Sequence, residues 1–284
     1  MNTTSEFMAT RARLLDRRRY ELLFDGGSAD AALAALAGYR NPDGGYGSGL
    51  EPDLRSRSSQ PVSALHAFEV FEETGSAPEA SELCDWLASI TLPDGGLPFA
   101  LPIEDPTGCA PFFVSADPTE SSLHMTAMLA GIAHRVARHD AKLREHPWLA
   151  TATEYSLRRI REMDGARHAL ELRYSLQFLE AISAEDELKR VGGFIPASGS
   201  LAVEGGADGE AMNPLDFAPE PGPLRQFFPA EAIEAELDKL EAARLPDGGW
   251  AVDWNSFSAA GTFEWFGWAT VRAAKILRAN GCGK

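Results

Sequence analysis

One turn recurs along the chain. Pro42-Asp43-Gly44-Gly45-Tyr46, Pro93-Asp94-Gly95-Gly96-Leu97 and Pro246-Asp247-Gly248-Gly249-Trp250 share a Pro-Asp-Gly-Gly-apolar core. Asp43 and Asp94 stand 51 residues apart, and Asp94 and Asp247 stand 153 apart, three times that interval. Fixed periods of this size mark arrays of one supersecondary unit. Proline presets the first corner position, aspartate caps with its side chain, and paired glycines supply positive φ. Each copy predicts a tight reversal between two helices, with the next residue stapling it to the following layer. Gly192-Gly193-Phe194 reads as a degenerate copy, and the Pro147-Trp148 region as another that has lost its glycines.

The elements between the turns read as helices. Ala and Leu supply 75 residues while Val and Ile supply 16, so strong helix formers dominate and sheet formers are scarce. No segment alternates apolar and polar residues long enough to make a convincing strand. Helices are predicted over 6–24, 29–39, 60–74, 80–90, 118–139, 149–163, 168–182, 230–243 and 262–279. The 60–74 segment shows the expected punctuation, with Pro61 in its first turn and Gly75 at its end. Two helices per period give about ten to twelve in all. Five or six such pairs bury their apolar faces by stacking or by closing on themselves. Closure into an α/α toroid is favoured over an open solenoid, as a single domain over residues 1–284. One stretch breaks the pattern. Residues 191–225 carry seven glycines and five prolines and read as a long loop across one mouth of the barrel, with Leu215-Asp216-Phe217 pinned inward, or as disorder.

Composition narrows the partners. A net charge of −16 argues against nucleic acid, which requires a basic footprint. Cys84, Cys109 and Cys282 are too few and scattered for a disulfide framework. No apolar stretch approaches the roughly 20 residues that span a bilayer. Residues 1–24 carry Glu6, Asp16 and five arginines where a signal peptide needs an apolar centre, so the expected location is cytoplasmic. Arg11, Arg13, Arg17, Arg18 and Arg19 lie beside Leu14, Leu15, Leu22 and Leu23. Such a helix suits peripheral contact with a membrane surface, or an outer position where its arginines pair with an acidic body.

The turns, their spacing and the helix-pair content resemble the squalene-cyclase and prenyltransferase repeat proteins, whose members fold as (α/α)6 barrels. The resemblance in layout covers nearly the whole chain. It implies a central cavity for an isoprenoid or other hydrophobic small molecule and, in the class II terpene cyclases, a proton delivered by the middle acid of an Asp-x-Asp-Asp-Thr motif. Ser115-Ala116-Asp117-Pro118-Thr119 occupies the comparable context, keeping that middle acid and the threonine and lacking the flanking acids. The resemblance assigns Asp117 as acid, with a histidine, His168 or His124, orienting it. The plainer reading makes Asp117 the N-cap of its helix, with Glu120 completing a capping box. Zinc, as in protein prenyltransferases, is not expected, because no Asp-x-Cys pair occurs. No cofactor is implied.

Other candidates follow from residue type. Glu51 and Asp53 follow the first turn and Asp253 the last, bringing acids to one rim as acid, base or subsite groups, or as plain solvated loop acids. His66 shares a Ser-x-Leu-His pattern with His124 on what read as inner helices. Trp250, Trp254, Phe257, Phe263, Trp265, Phe266 and Trp268 fall within nineteen residues. Of these, Trp250, Trp254 and Trp265, with Asp216 and Phe217, are expected to touch substrate, though tryptophans beside a turn also serve as staples. Three functions remain open: an acid-initiated cyclase-like protein, a carbohydrate-active toroid using Glu51, Asp53 and Asp253, and a non-catalytic binding or scaffold protein.

Overall fold

The three Pro-Asp-Gly-Gly segments fold alike in the computed structural model, which describes residues 3–75, 77–204 and 210–282. In each, the carbonyl before proline accepts the amide of the first glycine, at 3.0 Å for Asn41, 2.9 Å for Leu92 and 2.8 Å for Leu245. The same residue donates its own amide to the carbonyl of the second glycine, whose amide in turn donates to the aspartate Oδ1. The first glycine holds φ at +91°, +91° and +94°. That region costs an L-residue about 1–2 kcal/mol. Gly44→Ala and Gly95→Ala are each expected to lower the unfolding free energy by about that amount, seen as a lower urea midpoint at unchanged slope. The second glycine makes room for a neighbour. A Cβ there would lie 2.6 Å from the rings of Trp86, Tyr155 and Phe7 at Gly45, Gly96 and Gly249 respectively.

The chain is all-α: helix takes 57% of it and strand 4%. The helices are α1 (Thr3–Thr10), α2 (Leu14–Phe24), α3 (Ala29–Ala37), α4 (Pro61–Thr74) and α5 (Pro78–Ser89). The middle of the chain forms α6 (Pro111–Val114), α7 (Leu123–Ala137), α8 (Ala141–Arg144), α9 (Pro147–Arg161) and α10 (Ala169–Ala181). The remainder forms α11 (Glu185–Gly192), α12 (Pro214–Phe217), α13 (Ala230–Ala242) and α14 (Ala259–Ala279). Two minimal antiparallel ribbons pair β1 (Leu97–Pro98) with β2 (Ser121–Ser122) and β3 (Leu201–Ala202) with β4 (Ala211–Met212). Ends follow local chemistry. Pro61 opens α4 and Gly75, at φ +82°, closes it, while Ser122 and Ser258 cap α7 and α14 with their side chains.

Packing runs from helix to helix. α2 lies on α3 and α4, α4 on α7, α7 on α9 and α10, and α10 on α11 and α12. α12 packs on α13, α13 on α14, and α14 on α1 and α2. Gly131 lets α7 approach α10 closely, since a Cβ there would sit 3.2 Å from the Phe178 backbone. One large core cluster reaches from Leu15 to Ile276.

Several boundaries differ from the sequence expectation. The 6–24 helix is two, α1 and α2, broken at Arg11–Arg13. The 118–139 helix begins only at Leu123, because Ser121 and Ser122 pair with β1, and Ser122 rather than Asp117 caps it. Pro147 opens α9 instead of forming a turn; the reversal before α10 falls at Asp164-Gly165. The 191–225 stretch contains the end of α11, the β3–β4 ribbon, α12 and a 3-10 turn at Pro223–Phe227, with residues 205–209 outside the described residues. Among the described residues no helix is long and apolar enough to cross a membrane.

Candidate functional site

Between α2, α4, α7, α10 and α14 lies a cavity of about 1050 Å³. Helix α7 presents Met125, Met128 and Ile132 to it, and α4 adds Val62 and Leu65. Phe112 and Phe257 also line the cavity and are 49% and 46% exposed, so it reaches the surface between α6 and the loop before α14.

The opposite wall is charged. On α4, His66, Glu69 and Glu73 recur at helical spacing and so share one face. His66 Nε2 lies 2.8 Å from Glu51 Oε2, and Nδ1 lies 3.3 Å from Glu69 Oε2. Arg19 of α2 bonds both oxygens of Glu73 at 2.8 Å and reaches Glu69 at 3.2 Å. Lys275 of α14 meets Glu73 at 3.0 Å, and Trp268 donates its indole N–H to Glu69 at 3.1 Å. Buried charges persist only when paired in this way. Burial by itself lowers the His66 pKa, but Glu69 and Glu51 outweigh it and hold the imidazole up at about 9. Burial raises the Glu69 pKa, yet Arg19 and His66 prevail and keep it well below the ordinary carboxylate range. His66 is therefore an imidazolium clamped between two carboxylates at neutral pH.

The loop after the first turn positions Glu51 and Asp53. Leu50 and Leu54, fully buried on either side, anchor it. Asp53 Oδ1 accepts the Ser256 hydroxyl and the Phe257 amide, and Oδ2 accepts the Trp265 indole N–H at 2.8 Å. Its carbonyl accepts Ala110 N–H at 2.8 Å, tying this loop to the start of α6.

A second polar region faces the cavity from α7 and α10. His124 stacks on Tyr174, ring centroids 5.1 Å apart at 11°, and sits 6.3 Å from His168. Burial pushes its pKa down to about 3, with His168 and Arg173 adding repulsion, so it is neutral at physiological pH. The Arg173 guanidinium lies 4.9 Å from the Tyr174 ring centroid, and its Nε is buried with no hydrogen-bond partner.

No protein-family model matches the chain, and no curated protein matches it.

Of the residues proposed from sequence, the cavity gathers Glu51, Asp53, His66, His124, Phe217, Trp254 and Trp265. Asp216 stands behind this wall, holding the cavity-lining Arg272 at 2.7 Å. His168 caps α10 by accepting the Leu170 amide. Trp250 is a staple: it packs beside Ala269 and Ala273 and donates its indole N–H to Leu240. Asp253 is exposed and off the cavity wall. Asp117 is at the surface as well, where the Thr119 hydroxyl and amide donate to Oδ1 and lower its pKa. That carboxyl is ionised at neutral pH and has no proton to give. Its acid role and its capping role both give way to a local turn, because the helix starts six residues beyond it, at Leu123.

Sequence reasoning passed over Arg19, Glu69, Glu73 and Arg173. A signal was there for Arg19. Leu15, Asp16, Arg19 and Tyr20 form one buried stripe on α2, so Asp16 and Arg19 lie inside an apolar face. The arginines around Arg19 meet nearby acids, as Arg11 meets Asp247 and Arg17 and Arg18 meet Glu21. Among the described residues, no group of three or more His, Cys, Asp or Glu side chains is arranged to hold a metal ion.

Proposed function

We propose that this protein binds an amphiphilic small molecule, isoprenoid-like in its apolar part, in a cavity enclosed by a ring of helix pairs. The ring reading, an α/α toroid, is supported by the helix contacts, which lead from α2 through α4, α7, α10, α12 and α13 to α14 and back to α2. The observation that carries the function is the two-sided cavity itself. Met125, Met128 and Ile132 form an apolar wall, and the Glu51–His66–Glu69 relay with Arg19 and Lys275 forms a charged one. A purely apolar ligand leaves the second wall unanswered, and a purely polar one wastes the first.

Both ring N–H groups of His66 are taken up by Glu51 and Glu69, so in a catalytic site its proton would reach a ligand only by way of one of those carboxylates. A proton held at a pKa of about 9 can pass to an oxygen or nitrogen of a ligand, but it is far too weak an acid for an alkene carbon. The reading therefore keeps the fold and apolar ligand of the cyclase resemblance and drops the acid-initiated step. A cytoplasmic setting belongs to the same reading, in keeping with three unpaired cysteines. The carbohydrate alternative has one observation of its own: Trp254, Trp265 and Trp268 meet edge-to-face beside Asp53 and Glu69.

Calorimetric titration with farnesol and with maltotriose separates the two. Farnesol is expected to bind. Met128→Trp, which fills the apolar side, is expected to weaken it by about tenfold or more, and Asp117→Asn to leave it unchanged. Maltotriose binding with no farnesol binding would sink the amphiphile reading.

A further inference from the structure

We infer that the bound amphiphile carries a single negative charge of the carboxylate class, seated on Arg173 with its chain along α7. The inference rests on the cavity reading above and deepens it. Most cationic side chains of the cavity wall are already matched: Arg19 with Glu69 and Glu73, Arg135 with Glu72, Arg272 with Asp216, and Lys275 with Glu73. Arg138 is exposed. Arg173 differs. No carboxylate of the described residues lies within ion-pair distance of it, its Nη1 leans on the thioether of Met212 at 3.7 Å, and its Nε is buried without an acceptor.

A buried donor without an acceptor costs about 1–3 kcal/mol. The planar fork of a guanidinium is best met by two oxygens on one carbon, as in a carboxylate. One unmatched cation calls for one negative charge. Neutral His124, stacked on the neighbouring Tyr174, can offer a ring N–H to the same head without adding charge. Met125 and Met128 then lie along the path of the chain.

Farnesoate and farnesol share a chain and differ in the head. In calorimetric titration of the intact chain below micellar concentrations, farnesoate is expected to bind about tenfold or more tighter than farnesol. Arg173→Met is expected to abolish the preference, bringing farnesoate down to about the affinity that the same variant shows for farnesol. Equal affinities in the wild-type protein, or a preference that survives Arg173→Met, overturn the inference and leave the cavity reading standing. Binding of neither ligand by the wild-type protein overturns the cavity reading, and the headgroup with it. Tighter binding of farnesyl monophosphate than of farnesoate overturns the carboxylate assignment. Should Arg173→Met bind neither ligand, Arg173→Lys decides: it keeps the charge and loses the fork. A reduced preference for farnesoate with intact farnesol binding then supports the inference, and an unchanged preference overturns it.

Discussion

Replacing Arg19 with methionine is expected to cost about 3–5 kcal/mol of folding stability, close to the whole margin of a typical domain. The side chain is 4% exposed, and its partners Glu73 and Asp16 are 2% and 0% exposed. Without the guanidinium, Glu73 keeps only the half-solvated Lys275, and Glu69 keeps His66 and an indole N–H. The loss arises from stranded carboxylates rather than from lost packing, because methionine fills nearly the same volume. Removing a stranded acid should therefore help. The double variant Arg19→Met/Glu73→Met is expected to recover part of the loss, measured as urea-unfolding free energies in a double-mutant cycle. A methionine variant within 1 kcal/mol of wild type would contradict the account of this wall.

Raising the pH should remove stability through His66. Its imidazole titrates near 9 in the folded protein and near 6.5 in the unfolded chain. The folded state thus binds a proton more tightly, and its contribution is complete below about pH 6.5 and lost between there and about pH 9. The shift corresponds to about 3 kcal/mol. His66→Gln places a neutral side chain between Glu51 and Glu69, so its stability should vary much less over the same window. Glu69 and Glu73 act in the opposite direction. Arg19 holds both below the usual range against the effect of burial, so their contribution is present above pH 4–5 and fades as pH falls through their depressed values. Unfolding curves from pH 5 to 10 on wild type and His66→Gln test the first statement. Parallel curves for the two proteins would refute it.

What was legible in the sequence was what depends on near neighbours. A Pro-Asp-Gly-Gly run needs only its own amides and glycines to define a corner, and all three copies have the same hydrogen bonds. The relay was legible as residue types but not as a unit. Glu51 and His66 are separated by a loop whose path depends on burying Leu50 and Leu54, and no local rule predicts that path. Arg19 was hidden among four other arginines, and only its place in the stripe with Leu15 and Asp16 separates it from Arg17 and Arg18. Asp117 failed for the converse reason. A motif was matched residue by residue while the helix start that gives the motif its meaning had moved to Ser122, drawn there by strand pairing with Leu97 and Pro98. Trp250 and Trp265 looked alike in composition; one staples a turn and the other donates to Asp53.

The third turn seats its second glycine on Phe7, and Arg244 donates to the hydroxyl of Thr3 across 241 positions of sequence. In the order of synthesis, α1 leaves the ribosome some 241 residues ahead of Arg244. At about 5–20 residues per second, α1 waits on the order of 10–50 seconds before it can dock. Until then Phe7 and Met8, both fully buried in the finished protein, remain in water or in the grip of a chaperone. Local contacts cannot hasten this step, so the docking of α1 on the third turn comes late in folding, and nascent chains stalled before Arg244 are expected to be prone to aggregate.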